Sequence, residues 1–397
     1  MLRWPLLSLI LLLASCTKDS VLRPGVDVSK RLQEALISAK PGAVIELGEG
    51  KFDIDRTISL SVDNVKIKGA GLDKTVLNFA TQKSGSAGML VTSGNFTIED
   101  LTLQDTKGDA LKVNGAANVT IRRIKTEWTG GPKETNGAYG IYPVQCSNVL
   151  IEDSVAIGAS DAGIYVGQSK NIIVRRNRAE LNVAGIEIEN STAADVYENV
   201  ATRNTGGLLV FNLPDLPVQG GSFTRLYNNR IYENNTENFA PKGNIVAKVP
   251  TGTGIMVLAT HDIEIFKNSI KDNQTSNISI LSYLTTGNKI KDAKFDPYVE
   301  KIHIHDNELV GGGTAPAGRA KDLAPILGNP VPSIIYDGVV KPKLANAQIC
   351  IENNGSANFV DYDAGNGFKK ASKDMKPHVC SLPGLPAVSI AVSSGPA

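Results

Sequence analysis

The sequence predicts an all-β solenoid, coiled as three short parallel strands per turn, and three recurring patterns carry that prediction. An apolar residue, two polar residues and Asn, with a second Asn five positions on, appear as Val174-Arg175-Arg176-Asn177…Asn182, Val196-Tyr197-Glu198-Asn199…Asn204, Leu226-Tyr227-Asn228-Asn229…Asn234 and Ile265-Phe266-Lys267-Asn268…Asn273. A Gly-apolar-x-apolar tetrad recurs beside them: Gly163-Ile164-Tyr165-Val166, Gly185-Ile186-Glu187-Ile188, Gly207-Leu208-Leu209-Val210 and Gly254-Ile255-Met256-Val257. A small or apolar residue stands two places after the first Asn, as Ala179, Ala201, Ile231 and Ile270. A unit this short cannot bury its own apolar face and must stack on copies of itself.

Taken in order, the chain opens with a targeting segment. Arg3 gives a positive start, residues 6–14 are a short apolar run, and Leu13-Ala14-Ser15-Cys16 resembles the bacterial lipobox, whose Cys is lipidated. The run is too short to span a bilayer, so attachment is expected through acyl chains at Cys16 alone. Thr17 after the Cys points to the outer membrane by resemblance to bacterial sorting patterns. The expected divisions are a signal peptide over 1–15, a linker over 16–29, the solenoid with its helical cap over 30–313, and an irregular C-terminal cap and tail over 314–397.

Within the solenoid, residues 30–40 read as an amphipathic helix with Leu32, Leu36 and Ile37 on one face, stopped by Pro41-Gly42. It would cover the open end of the stacked core, which otherwise offers bare strand edges. Residues 43–47 begin the first strand. Weaker copies of the second-strand motif align at Ile98, Ile121, Ile151 and Ile304. Roughly ten turns at ~4.8 Å per strand give a rod about 50 Å long. The repeated Asn residues are expected to hydrogen-bond as ladders and to supply left-handed turn positions.

Composition narrows the partners. A formal net charge of +1 with 20% charged residues leaves no basic excess for phosphates, so nucleic acid is excluded as the expected partner. Cys350 and Cys380 lie in the Pro/Gly-rich C-terminal region and, in an exported chain, form the expected disulfide. Cys146 reads as a small buried filler.

These motifs resemble those of right-handed parallel β-helix proteins, the pectate-lyase-like folds and periplasmic repeat families built on Gly-Ile strands and Asn turns. The opening, a helix, Pro-Gly and then Ala43-Val44-Ile45-Glu46-Leu47, resembles theirs too. The resemblance covers roughly residues 30–313 and extends to a bacterial family of exported, often lipidated β-helix repeat proteins of unknown function, typically encoded beside a second exported protein. It implies a right-handed coil and, by analogy with pectate lyases and alginate-modifying enzymes, a cleft over the first-strand sheet. There a Lys, Arg, Tyr or His would remove a proton next to a sugar carboxylate, with Ca²⁺ or another cation neutralising it. The Asp-Pro-His-Asp motif of alginate epimerases and a compact Asp cluster for Ca²⁺ are both missing from this sequence.

Residues one unit apart become lateral neighbours, so outward rows can be read directly. On the second strand one row runs Glu99, Arg122, Glu152, Arg175, Tyr197, Tyr227, Phe266, His305, and its neighbour begins Asp100, Arg123, Asp153, Arg176. Alternating charge pins the register, and these groups read as structural. His303 and His305 share a face at period two, but no third ligand is identifiable, so the expectation is a solvated strand face and no metal. The first-strand row, Leu90, Lys112, Tyr142, Tyr165, Glu187, Leu209, Met256, Ser279, lacks such complements and has Asp109, Asp161 and Glu189 near it. Four excursions, 129–136, 212–222, 236–250 and 283–298, adjoin this strand and would wall a trough. Lys112, Tyr142, Tyr165 and Glu187 are therefore the expected polysaccharide-binding residues. The function read from this is an envelope lipoprotein, non-catalytic or of uncharacterised activity, that binds a polysaccharide or docks a second exported protein, without a cofactor. The alternative is a lyase or epimerase acting on uronate glycans.

Overall fold

A computed structural model describes residues 21–390; the leader and Cys16 lie outside the described residues. The chain is mostly β, a parallel β-solenoid of about 12 turns with one short helix at its N-terminal end. Its first-strand sheet has 11 strands, and the second and third strands of each turn merge into a 19-stranded sheet bent at the corners. Among the described residues no helix is long and apolar enough to cross a membrane.

Period-two alternation puts one residue in two inside, and stacking turns each inward position into a column. Ile58, Met89, Leu111, Ile141, Ile164, Ile186, Leu208, Ile255, Ile278, Ile334 and Phe359 follow one another up the first sheet. On the second, Ile98, Ile121, Ile151, Val174, Val196, Leu226, Ile265, Ile304 and Ile351 do the same. All are buried, and their packing is the core.

Helix α1 (Val28–Ile37) is shorter than 30–40 and begins earlier. Val28, Leu32 and Leu36 are buried, whereas Ile37 is 70% exposed because the apolar stripe follows positions 28, 32 and 36. The helix closes the end of the stack with its side chains. Gln33 Nε2 donates to the Ser59 carbonyl at 2.9 Å and Gln33 Oε1 accepts the Ser59 N–H at 2.8 Å, so one amide replaces the missing neighbouring strand.

The Asn motif forms two buried ladders. In the first, each Nδ2 donates to the Oδ1 of the next rung through Asn177, Asn199, Asn229, Asn268, Asn307 and Asn354, at 2.9–3.0 Å. The second runs Asn182, Asn204, Asn234, Asn273. Every Oδ1 along the first ladder also accepts a backbone N–H, and each second Nδ2 hydrogen reaches a carbonyl of the preceding turn, as Asn199 does to Val174 at 2.9 Å. These Asn residues are not themselves left-handed. The left-handed residue is the one before each: Arg176, Glu198, Asn228, Lys267, Asp306 and Asn353. Asn does occupy left-handed positions in a third, outer ladder, where Asn118 bonds Asn95, Asn148 bonds Asn118 and Asn171 bonds Asn148. The recurring Gly of the first strand is explained by the second ladder: a Cβ at Gly185 would stand 2.8 Å from Asn204 Nδ2 and 2.6 Å from the Gly207 carbonyl oxygen.

The repeat does not end at Gly313. After an inserted stretch, Ile334–Tyr336, Ile349–Glu352 and Phe359–Asp361 rejoin the two sheets, and Asn354 ends the first ladder. The remaining chain does more than cover the far end. A disulfide joins Cys350 to Cys380, and from there the tail turns back along the outside of the second strands. The Leu385 N–H reaches Glu264 at 3.0 Å, the Leu385 carbonyl meets Arg225 at 3.3 Å, and the Val388 N–H reaches Asp195 at 3.2 Å.

Replacing Asn199 by Ala removes the partner of the Asn177 N–H, of one Asn177 Nδ2 hydrogen and of the Val174 carbonyl in the interior. We expect a loss on the order of 3 kcal/mol or more in denaturant unfolding. The exposed outer-ladder change Asn171→Gly, which keeps the left-handed turn permissible, should cost less than about 1 kcal/mol.

Candidate functional site

The second-strand rows behave as complementary charge ladders. Arg122 meets Glu99 at 2.5 Å, Arg123 meets Asp100 at 2.6 Å, Arg175 meets Glu152 at 2.6 Å and Arg176 meets Asp153 at 2.7 Å. Tyr197, Tyr227, Phe266 and His305 then continue as a ring stack with centroids 4.7–5.2 Å apart. Every charge here has its partner, so the pattern is accounted for by stacking.

The first-strand face is different. Leu90, Lys112 and Tyr142 are half-buried, but Tyr165, Glu187, Leu209, Met256 and Ser279 are buried, which departs from the open trough expected from the loops. The cause is the 236–250 excursion, which lies on the sheet as a cover instead of standing beside it as a wall. Its Val246 and Val249 pack with Tyr165, Leu209, Met256 and the Tyr283–Phe295 pair of the next excursion. Outward apolar residues such as Leu209 and Phe211 would otherwise form an exposed strip. Asn238 ties the cover internally by donating to the Val246 and Val249 carbonyls, both at 2.9 Å. Beyond it, Met256 and Ser279 face a mostly apolar cavity of about 450 Å³, closed on the other side by Leu323 and Tyr362.

Under the N-terminal edge of the cover sits a compact group of tyrosines and carboxylates. Tyr139, Tyr142 and Tyr165 have ring centroids 4.3–5.0 Å apart. Lys112 Nζ lies 4.8 Å above the Tyr142 ring and 3.9 Å from Asp109. Glu187 and Glu189 are outward residues of one strand, and Asp161 enters from the start of the strand before it. Their exposures are 1%, 6% and 5%. Tyr165 donates to Glu189 at 2.6 Å, Tyr139 to Asp161 at 3.4 Å, and Asn244 of the cover to Asp161 at 3.2 Å. Gly167 makes the Tyr165 bond possible, since a Cβ there would fall 2.2 Å from the phenol oxygen leaning across it. Neither oxygen of Glu187 has a hydrogen-bond partner.

This arrangement holds protons. Burial, then the Glu189 charge, pushes the Asp161 carboxyl up to about 7, against the opposing bonds from Tyr139 and Asn244. Burial likewise lifts Glu189 to about 7, with Tyr165 pulling the other way. Glu187 is raised well above the carboxylate range by burial and by both acidic neighbours. Asp109 is pushed up to about 6 by burial, with Lys112 opposing. An uncompensated acid cluster opposes folding, and such groups concentrate at functional sites.

Of the residues expected from sequence, Lys112 and Tyr142 form the accessible mouth, while Tyr165 and Glu187 lie beneath it. Tyr139 and Asn244 were not legible. Tyr139 lies three residues before Tyr142, outside the period-two row, and Asn244 belongs to a loop with no repeat to align. The two histidines are not on a solvated face: His303 is 6% exposed and Glu264, one rung away, joins them.

Comparison with known proteins agrees with this architecture. Residues 55–223 match the family model described as right handed beta helix region, and the fold is that of the right-handed, pectate-lyase-like β-helices. No curated protein sequence matches the chain. Among solved structures, the A-module of Azotobacter vinelandii mannuronan C-5 epimerase AlgE4 superposes with a TM-score of 0.58 at 20% identity, over 85% of this chain and 93% of that one. The A-module of the same organism's epimerase AlgE6 gives 0.48 at 19% identity, over 83% and 90%. The Streptococcus pneumoniae surface adhesin PfbA gives 0.45 at 12% identity, over 84% and 85%. At 20% identity the likeness to the AlgE4 A-module shows a shared fold.

The raised carboxyls carry a stability signature. The folded state binds more protons than the unfolded chain between about pH 4 and 7, so stability falls as pH rises through that window and stays reduced above it. Glu187→Gln removes one of the mutually repelling groups. Its melting temperature should exceed wild type by about 3 °C or more at pH 8 and by much less at pH 5; equal gains at both pH values would contradict a protonated cluster.

Proposed function

We propose that this protein binds a neutral, hydroxyl-rich glycan on its first-strand sheet, at the mouth formed by Tyr139, Tyr142, Lys112 and Asp109. The observation that carries the reading is the set of three clustered tyrosines over Asp161, Glu187 and Glu189, which form no ion pair among the described residues. Aromatic faces stack on the apolar faces of sugars, and carboxyl groups near half-protonation both donate to and accept from hydroxyls. A uronate chain suits the site poorly. The cation at this mouth, Lys112, already stands beside Asp109, and the partly ionised Asp161 and Glu189 would repel sugar carboxylates. That disfavours the lyase or epimerase reading, which needs positive charge next to the developing enolate.

A second reading is supported by Asp161 and Glu189 both titrating near neutrality: with the cover lifted, a protonated and an ionised carboxyl could act as general acid and base on a glycosidic bond. One experiment addresses both. Against a panel of neutral and uronate polysaccharides, wild type should bind a neutral one, Tyr142→Ala should bind it about tenfold more weakly, and Tyr197→Ala should bind it normally. Unchanged binding in Tyr142→Ala removes the site. New reducing ends that vanish in Asp161→Asn would establish the hydrolytic reading, and unsaturated products from a uronate polymer would overturn the neutral-glycan assignment.

We further propose that the protein works at the bacterial envelope, held by acyl chains on Cys16. The support is the apolar run over 6–14 and the tetrapeptide Leu13-Ala14-Ser15-Cys16. Cys16→Ser should move the protein from the membrane fraction to the soluble fraction; retention on membranes would count against the anchor.

A further inference from the structure

On the second-strand face, opposite in role to the glycan site, three side chains from two adjacent rungs converge beneath the C-terminal tail. Glu264 and His303 are register partners, and His305 follows two residues along. One ligand atom from each of Glu264, His303 and His305 lies within 4.8 Å of the other two. The grouping goes beyond proximity, because the outer hydrogen bonds leave His303 Nδ1 without a partner and turn His305 Nε2 and Glu264 Oε1 toward each other. His303 turns Nε2 to Glu352 at 2.9 Å, and its Nδ1 has no partner although the residue is 6% exposed. His305 turns Nδ1 to Asp306 at 2.8 Å, which leaves Nε2 facing Glu264 Oε1 at 3.2 Å. Glu264 Oε2 accepts the Leu385 N–H at 3.0 Å, so Oε1 is the oxygen turned to the imidazoles.

In each histidine, one ring nitrogen lies within hydrogen-bond distance of an outer carboxylate that can hold its hydrogen, which frees the other nitrogen's lone pair for a metal. That is how proteins orient imidazoles that bind a metal. We infer that Glu264 Oε1, His303 Nδ1 and His305 Nε2 bind a single Zn²⁺ ion, with a water in the fourth position. Zn–N and Zn–O bonds of ~2.0–2.2 Å place tetrahedral ligand atoms roughly 3.4 Å apart, so small side-chain rotations close the set from its present spacing. Two imidazoles select a borderline first-row ion over Ca²⁺ or Mg²⁺, which require oxygen ligands. Electrostatics agree: Glu264, Asp306 and Glu352 lie about the position, while Arg225, register partner of Glu264, is bound bidentately to Asp195 at 2.8 Å. The ion would also act on the tail. Leu385 holds Glu264 from outside and Cys350, register partner of His303, carries the disulfide to Cys380, so metal and disulfide would clasp one strap to one face.

The test uses tag-free full-length protein, stripped with a chelator and titrated with ZnCl₂ by calorimetry, and separately with Co²⁺ by absorption spectroscopy. Wild type should take up one ion per chain, show intense tetrahedral Co²⁺ bands, and melt at a higher temperature with Zn²⁺ than without. His303→Ala should lose at least tenfold in affinity and lose the bands. Glu352→Gln, which keeps all three ligands and only loosens the His303 ring, should bind about tenfold more weakly while retaining the bands. If His303→Ala does not fold, Glu264→Gln and Glu352→Gln carry the same reading. Absence of saturable binding in wild type overturns the site, as does affinity unchanged in both Glu264→Gln and Glu352→Gln.

Discussion

The buried amide ladder is the constraint from which the remaining features follow. A solenoid must turn a corner between strands in every coil, and a corner exposes backbone N–H and C=O groups to a core with no water to receive them. Asn177, Asn199, Asn229, Asn268, Asn307 and Asn354 solve this with one repeated side chain. Each amide accepts a corner N–H and donates both to a carbonyl one turn back and to the next amide. The residue before each Asn is left-handed, which costs about 1–2 kcal/mol for a residue such as Arg176 or Lys267. Three satisfied hydrogen bonds per rung offset that cost. The second ladder demands space, which Gly163, Gly185, Gly207 and Gly254 provide.

Once the ladders fix the register, the outer rows are fixed too, and the two long faces of the rod diverge. On the second strands, carboxylate faces guanidinium or ring faces ring from turn to turn, and Glu99 is held below its ordinary range despite burial, through Lys66 and Arg122. On the first strands Asp161, Glu187 and Glu189 crowd together with phenols and one amide for company. A scaffold closed by many identical rungs can support such an unfavourable group, because losing stability at one turn does not unregister its neighbours. The two faces thus share one backbone and carry opposite electrostatic designs, one self-neutralised and one kept acidic.

Much of this was legible from the residues. Strand identity, inward columns and the charge ladder follow from spacing, because a strict repeat turns separation along the chain into adjacency in space; Val174, Val196 and Leu226 had to stack if any of them did. Legibility failed wherever the repeat was interrupted. The segment over 236–250 has no counterpart to align with, so its landing place on Tyr165 and Leu209 could not be read. The stretch over 314–333 concealed the return of the first-sheet strands at Ile334 and Phe359. The left-handed position is not where Asn tolerance points, because the buried amide bonds claim the Asn and leave the turn conformation to the residue before it.

The sequence by itself determined the coil, its register and the lateral order of side chains on each face, since those depend on local period and nearest-neighbour stacking. Only the tertiary structure decided which parts of those faces meet water. Burial of Tyr165 and Glu187 depends on where the covering loop packs, and burial of His303 and Glu264 on a tail that returns from more than a hundred residues downstream of Glu264. The loop is placed by apolar surface seeking cover and the tail by backbone hydrogen bonds and a disulfide, neither of which has a sequence period, and so they leave no pattern in the chain to read.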